Sequence, residues 1–251
     1  MTNLQLLALL DQLLNAKAIR DYCPNGLQVE GKADIRHIVT GVTATQALID
    51  RAIEQKADAI LVHHGYFWKG EREAIRGMKK QRIKALLDHD INLFAYHLPL
   101  DMHPSLGNNA QLGKLLGLTT EGGLELGNPQ SVAVKGFVDA PITAEDMAKR
   151  IESALGRVPL LEKGGEHLIK TVAWCTGGGQ SYIEMAAEQR IDAFITGEVS
   201  EHTIHTAREM GIHFFAAGHH ATERYGAKAL GEYLAAEHGF SVSFVDIDNP
   251  A

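Results

Sequence analysis

An α/β architecture with largely parallel strands is the fold class that this 251-residue chain predicts, and three observations predict it. Short β-like runs alternate with helical ones, one stretch of the chain recurs, and the polar clusters fall at the ends of the β-like runs. Strands are expected near 36–42 ("RHIVTGV"), 58–63 ("DAILVH"), 91–96 ("INLFAY"), 131–138 ("SVAVKGFV"), 168–175 ("LIKTVAWC"), 191–196 ("IDAFIT"), 212–217 ("IHFFAA") and 240–245 ("FSVSFV"). Helices are expected between them, at about 3–16, 44–56, 77–89, 107–117, 143–155, 179–189, 200–210 and 221–238. The first, "MTNLQLLALLDQLLNAK", has its leucines interrupted by Asn, Gln and Asp, so it reads as an amphipathic helix rather than a signal peptide.

The recurrence pairs "QALIDRAIEQKADAILVHH" (46–64) with "QSYIEMAAEQRIDAFITGE" (180–198) without a gap. The next unit follows in both places, as "INLFAYHLPLD" (91–101) and "GIHFFAAGHHATE" (211–223). Duplication accounts for this better than chance likeness between two βα units. The glycine-rich "TTEGGLELGNPQ" (119–130) is the best linker, so lobes of 1–125 and 126–251 are expected, with a metal site in the cleft between strand ends of both.

Composition narrows the function. No apolar run approaches the roughly 18 residues of a membrane span. Cys23 and Cys175 lie far apart and form no CxxC pair, which leaves no disulfide framework or thiolate zinc cluster and makes a reducing cytoplasm the default. A net charge of −7 disfavours a grip on duplex nucleic acid, so a phosphate-bearing ligand would need a local positive centre such as bound metal ions. The 13 histidines are the compositional outlier.

Three polar clusters sit at the C-terminal ends of expected parallel strands, where open α/β sheets place ligands. They are "HHG" (His63, His64, Gly65), "HLPLDMH" (His97, Asp101, His103) and "GHHATE" (His219, His220, Glu223). Neighbouring strand residues point to opposite faces, so His63 and His64 reach one site only if the chain turns, which Gly65 would permit. His219 and Glu223, four residues apart, stack on one face of a first helical turn, where a carboxylate is favoured. His63, His64, Asp101, His219 and Glu223 exceed what one open catalytic ion needs and suit two divalent ions sharing a carboxylate, which in such sites lie about 3.5–4 Å apart and activate a water. Nitrogen and oxygen donors admit Fe, Zn, Mn, Co or Ni.

Each signal has a plainer reading. A single histidine at a strand end is usually a partly buried hydrogen-bonder, and only the conjunction of three clusters argues for metal. His97 is open between orienting a ligand, shuttling a proton and a structural role. His103 and His220 read as supporting or surface groups. His202 and His205, with Glu198 and Glu201, read as a solvated helix face, although Glu198 stands at the repeat position of His64. His37, His89, His167, His213 and His238 read as structural. "CTGGGQS" (175–181) can present amides to a phosphate, but a tight strand-to-helix turn explains it better. "YFWKG" (66–70) offers a base-stacking surface or an apolar contact between subunits.

"NGLQVEG", "VHHGYFW", "HLPLDMHPSLGNN", "TGGGQ", "TGE" and "GHHATERYG" follow in that order across nearly the whole chain. Together they resemble the YbgI family, whose bacterial members are often labelled GTP cyclohydrolase I type II homologues. The resemblance implies two intertwined, duplication-related α/β lobes, a dinuclear metal centre in their cleft and a toroidal homohexamer. It implies that His63 and Asp101 hold one ion, that His64 and His219 hold the other, and that Glu223 bridges them.

The resulting expectation is a dinuclear metal-dependent hydrolase of nucleotides or nucleobases, modified or damaged ones included, with His97 and Glu223 as catalytic residues. GTP ring opening is the version that the label names; the lack of a thiolate cluster counts against it. The contrasting expectation is a metal-stabilised ring that serves as a scaffold for a protein or a single-stranded nucleic acid.

Overall fold

Strands buried on both faces read as near-continuous apolar runs, and those at the centre of each sheet here are of that kind. A computed structural model describes residues Met1–Ala251. One unit comprises Met1–Gly107 and Gly226–Asp248, the other Asn108–Tyr225 and Asn249–Ala251.

In the first unit, β1 (Gly26–Val29), β2 (His37–Thr43), β3 (Ala59–His64), β4 (Asn92–Ala95) and β11 (Ser241–Phe244) form a five-stranded sheet in the order β1-β4-β3-β2-β11. All neighbours are parallel except β1 and β4. Side chains alternate between two cores. Ile60 and Val62 pack with Leu48, Ile49 and Ala52 of α2 (Gln46–Glu54) and with Ile83 and Leu86 of α3 (Gly77–Asp88). Ala59 and Leu61 pack with Leu6 and Leu10 of α1 (Asn3–Leu13) and with Leu230 and Leu234 of α9 (His219–His238). Caps start the helices: Thr2 and Gln5 make a reciprocal capping box at α1, and the Thr45 hydroxyl accepts from Leu48 N at α2. A short helix, α4 (Leu98–Met102), follows β4, with Pro99 in its first turn.

In the second unit, β5 (Leu118–Gly123), β6 (Val134–Ile142), β7 (Leu160–Glu162), β8 (Ile169–Cys175), β9 (Ala193–Thr196) and β10 (His213–Ala216) form a sheet in the order β5-β6-β8-β9-β10-β7. β8, β9 and β10 are mutually parallel, and the others pair antiparallel. Leu112 of α5 (Asn108–Leu115) and Met147 and Ile151 of α6 (Ala144–Leu155) cover one face, against Val172, Trp174 and Ile195. Ile183 and Ala186 of α7 (Ile183–Glu188) and Ala207 of α8 (Glu201–Met210) cover the other, against Phe194 and Phe214.

The mixed α/β class stands, with every expected strand and helix present. The units differ from the expected halves 1–125 and 126–251. Residues 118–123 of the expected linker form β5, which pairs with β6, so the chain changes unit at Gly107–Asn108 instead. It changes again at Tyr225–Gly226, within α9, because the apolar face of that helix completes the first unit's core. Strands β1, β5 and β7 and helix α4 were not expected. They are three to six residues long, too short for a periodic signal.

Candidate metal centre

His63 and His64 are the last two residues of β3, within the strand rather than past it. Their rings nevertheless meet, with centroids 4.4 Å apart and planes tilted by 42°. At Gly65, just past the strand, a Cβ would lie 2.2 Å from Gln28 Oε1 and 2.5 Å from Ala95 Cβ, so close packing excludes a side chain. The fully buried His63 sets its own tautomer. Its Nδ1 lies 3.1 Å from the Tyr96 carbonyl, which can only accept, so Nδ1 carries the hydrogen and the neutral ring has its lone pair on Nε2. That Nε2 lies 3.5 Å from Asp101 Oδ1, itself buried. A lone pair and a carboxylate facing each other in a buried site are stabilised by a cation, either a proton or a metal. His64 Nδ1 meets Thr43 Oγ1 at 3.2 Å.

Asp101 is brought there by α4, whose first turn closes on the His97 carbonyl: Leu100 N and Asp101 N donate to it at 2.8 and 3.1 Å. The His97 ring lies 5.0 Å from that of His63 and 5.8 Å from that of His64, and nitrogens of all three lie within 4.8 Å of one another. Trp68 stands edge-on to His97 at 4.9 Å and is anchored by donating from Nε1 to the Gly65 carbonyl. The other side of His97 meets Asp21, a residue the sequence did not single out. His97 Nδ1 donates to Asp21 Oδ1 at 2.7 Å.

In the second unit, His219 opens α9 and lies between two carboxylates, Glu198 Oε1 at 2.7 Å from Nδ1 and Glu223 Oε2 at 3.1 Å from Nε2. Burial alone would favour a neutral ring, but Glu223 and then Glu198 overcome it and raise the His219 pKa to about 9. A metal ion at Nε2 would take the place of that proton. The space around the pair is kept by Gly177, whose added Cβ would fall 2.0 Å from Glu223 Oε1 and 3.0 Å from His219 Nε2, and whose φ of +67° suits glycine. Thr222 Oγ1 ties the turn by accepting from Gly177 N at 3.0 Å and donating to the His219 carbonyl at 2.9 Å.

Other candidates sort out plainly. His103 Nδ1 accepts from Leu106 N at 3.0 Å, which makes it a turn cap. The amide of His220 donates to the Ala251 carbonyl. His205 pairs with Glu201 on an exposed helix face, whereas His213 is buried and stacks on His167 at 4.1 Å. In "CTGGGQS", Gly177 N and Gly179 N donate to Thr222 and Thr196 hydroxyls, so these amides tie a turn rather than face a phosphate. Asp21 lacked a signal because it sits in an irregular segment; the nearest clue was the following "CPNG".

The donor sets fit a metal: each unit places an imidazole, fully buried for His63 and half-buried for His219, against a buried carboxylate, with nitrogen and oxygen donors that suit a transition-metal dication. Against that geometry, the family comparison is decisive, because the model of the Duf34/NIF3 (NGG1p interacting factor 3) family matches residues 1–250. The chain belongs to the Duf34/NIF3 family. Its relatives include a Vibrio cholerae protein, 63% identical over 252 residues, and an Escherichia coli protein, 56% identical over 252 residues, each aligned over 100% of both chains. Both relatives carry the name GTP cyclohydrolase 1 type 2 homolog. The solved structure of the ybgI protein, 56% identical, superposes with a TM-score of 0.97 over 100% of both chains. That of TTHA1606 from Thermus thermophilus, 33% identical, superposes at 0.89, again over 100% of both. No helix of this Duf34/NIF3 chain is long and apolar enough to cross a membrane.

Proposed function

We propose that this protein is a dinuclear metal-dependent hydrolase acting on nucleotides or nucleobases, with His63, His64, Asp101, His219 and Glu223 as its metal ligands. In this reading His63 and Asp101 would hold one ion and His64 and His219 the second, with Glu223 serving both. One observation carries it: each unit sets a histidine nitrogen against a buried carboxylate, the buried His63 against Asp101 and the half-buried His219 against Glu223, an arrangement that a cation stabilises. When bound, two dications would supply Lewis acidity and a water of lowered pKa.

The chain's own residues do the rest. Asp101 and Glu223 offset the ions' charge, Glu198 and the Tyr96 carbonyl orient the ligating rings, and His97 moves a proton at the edge of the site. A positive centre in a chain of net charge −7 would attract substrate phosphates, and the Trp68 ring lies 5.9 Å from that of His64. The reading extends to a homohexameric ring, as the family resemblance implies, and to the cytoplasm, where Cys23 and Cys175 persist as thiols.

The test is a panel of nucleoside mono- and triphosphates, GTP included, incubated with metal-loaded protein and resolved by chromatography. At least one is converted, and Glu223→Ala abolishes the conversion while the oligomer remains. A fully loaded protein that converts none of them, or a Glu223→Ala variant as active as wild type, contradicts the proposal.

A further inference from the structure

Asp21 has a buried side chain, 2% exposed, yet stands on an irregular segment where a carboxylate has no obvious structural purpose. Both of its oxygens are fully engaged. Oδ1 accepts from His97 Nδ1 at 2.7 Å and Tyr22 N at 2.6 Å, and Oδ2 accepts from Leu98 N at 2.8 Å and Asn25 Nδ2 at 3.0 Å. Asn25 in turn accepts from His97 N at 2.8 Å, so one loop grips the ring, the amide and the next residue of the same histidine. With Nδ1 bound to Asp21, the His97 nitrogen left for the side of His63 and His64 is Nε2.

We infer that Asp21 is the positioning residue for His97, fixing the hydrogen on Nδ1 and so presenting Nε2 to the group held between His63 and His64. The inference rests on the hydrolase reading for its purpose, since a proton carrier works only with a known nitrogen at the reacting group. An acceptor-only carboxylate is required: four donors converge on it, and an amide would turn its NH2 toward two of them. An asparagine therefore favours the tautomer with a bare Nδ1 and the hydrogen on Nε2, which blocks proton acceptance there. The neighbouring Cys23 does not compete for the role, because burial and then the charge of Asp21 push its thiol up to about 12 and keep it protonated.

The test is nitrogen-15 NMR of the histidine rings in full-length protein, with His97→Gln identifying the His97 signals, alongside metal analysis of the same samples. Wild type is expected to show Nδ1 protonated. Asp21→Asn is expected to shift that proton to Nε2, keep the wild-type metal content, and lower turnover of a nucleotide that wild type converts by about 10²-fold or more, as does His97→Gln. An unprotonated Nδ1 in wild type overturns the inference whether or not the variant folds, as does an unchanged tautomer in Asp21→Asn. Metal-free protein, or protein that converts no nucleotide, counts against the hydrolase reading instead and leaves the tautomer to decide the role of Asp21.

Discussion

The strand–helix–strand segment β2-α2-β3 with β4 and the segment β8-α7-β9 with β10 share one frame and differ at its rim. Ile38 pairs with Ala59 and Ala59 with Asn92; Val172 pairs with Ala193 and Ala193 with His213. Both helices end on a non-glycine residue in the left-handed region, Lys56 at φ 54° and Arg190 at φ 58°. Both sheets fasten the preceding strand with an aspartate: Asp58 Oδ2 accepts from Arg36 N and His37 N, and Asp192 Oδ2 from Lys170 N and Thr171 N. Where the first strand then presents His63-His64, the second presents Gly197-Glu198, and the start of α9 occupies the space a side chain at 197 would need. A common backbone thus carries two imidazoles in one unit and room for an incoming histidine in the other. Backbone register is set well below the rim, so the chemistry there can differ without disturbing the frame.

The largest effect expected from breaking this contrast is at Gly177, whose counterpart is Thr43. Gly177→Ala forces a Cβ onto Glu223 in a left-handed conformation. It is predicted to cost about 1–3 kcal/mol and to strip metal from the protein. Thr43→Ala removes only the hydroxyl beside His64 and is predicted to cost about 1 kcal/mol. Thermal unfolding together with metal analysis compares them, and equal losses of metal would undo the contrast.

Next come the two fastening aspartates. Asp58→Ala and Asp192→Ala each leave two strand amides without their acceptor, and each is predicted to cost about 1–3 kcal/mol. Burial works against ionisation of both, yet Lys32 with the His37 and Arg36 amides at Asp58, and the Thr171 and Lys170 amides at Asp192, hold both carboxyls below the ordinary range. Their stabilisation is therefore complete above the unfolded pKa near 4 and is lost as the pH falls through the lower folded values. Chemical denaturation between pH 3 and pH 6 checks this: each variant should lose less stability than wild type on acidification, and a silent Asp192→Ala would break the equivalence of the two frames.

His219 gives a third and opposite pH response. Its pKa, raised to about 9 by Glu223 and Glu198 against the effect of burial, stabilises metal-free protein fully below the unfolded value of about 6.5. That stability is lost as the pH rises through 9. Melting temperatures of metal-free protein should therefore fall across pH 7–9, and His219→Gln should flatten the slope. Metal affinity should rise over the same range, because the ion displaces the proton. The smallest effect is at the helix ends, where Lys56→Gly and Arg190→Gly relieve positive φ. Each is predicted to stabilise by about 0.5–1 kcal/mol, to a similar degree, in denaturant titrations.

Much of this was legible in the chain. The apolar cores of β3, β9 and β10 and the four-residue spacing of His219 and Glu223 are patterns that survive in one dimension, because burial and helical pitch impose them locally. Asp21 was not legible, since its meaning comes from His97, far away in sequence and adjacent only after β4 forms. The unit boundary was obscured for a similar reason. Residues 119–130 look like a linker, but 118–123 pair with β6, and no local signal marks a helix such as α9 that serves two cores. The close packing of Gly65 against Gln28 and Ala95 was likewise illegible, because both partners are distant in sequence.

The central claim is that the histidine–carboxylate pairs of the two units hold metal. The most direct measurement is elemental analysis of protein purified without chelators or tag-derived metal, beside His63→Ala, Glu223→Ala and His97→Gln. The account predicts roughly two ions per chain in wild type, a fall in the first two variants, and an unchanged content in His97→Gln. Protein that carries no metal and takes up none on reconstitution, or variants at His63 and Glu223 that keep the full content, would contradict it.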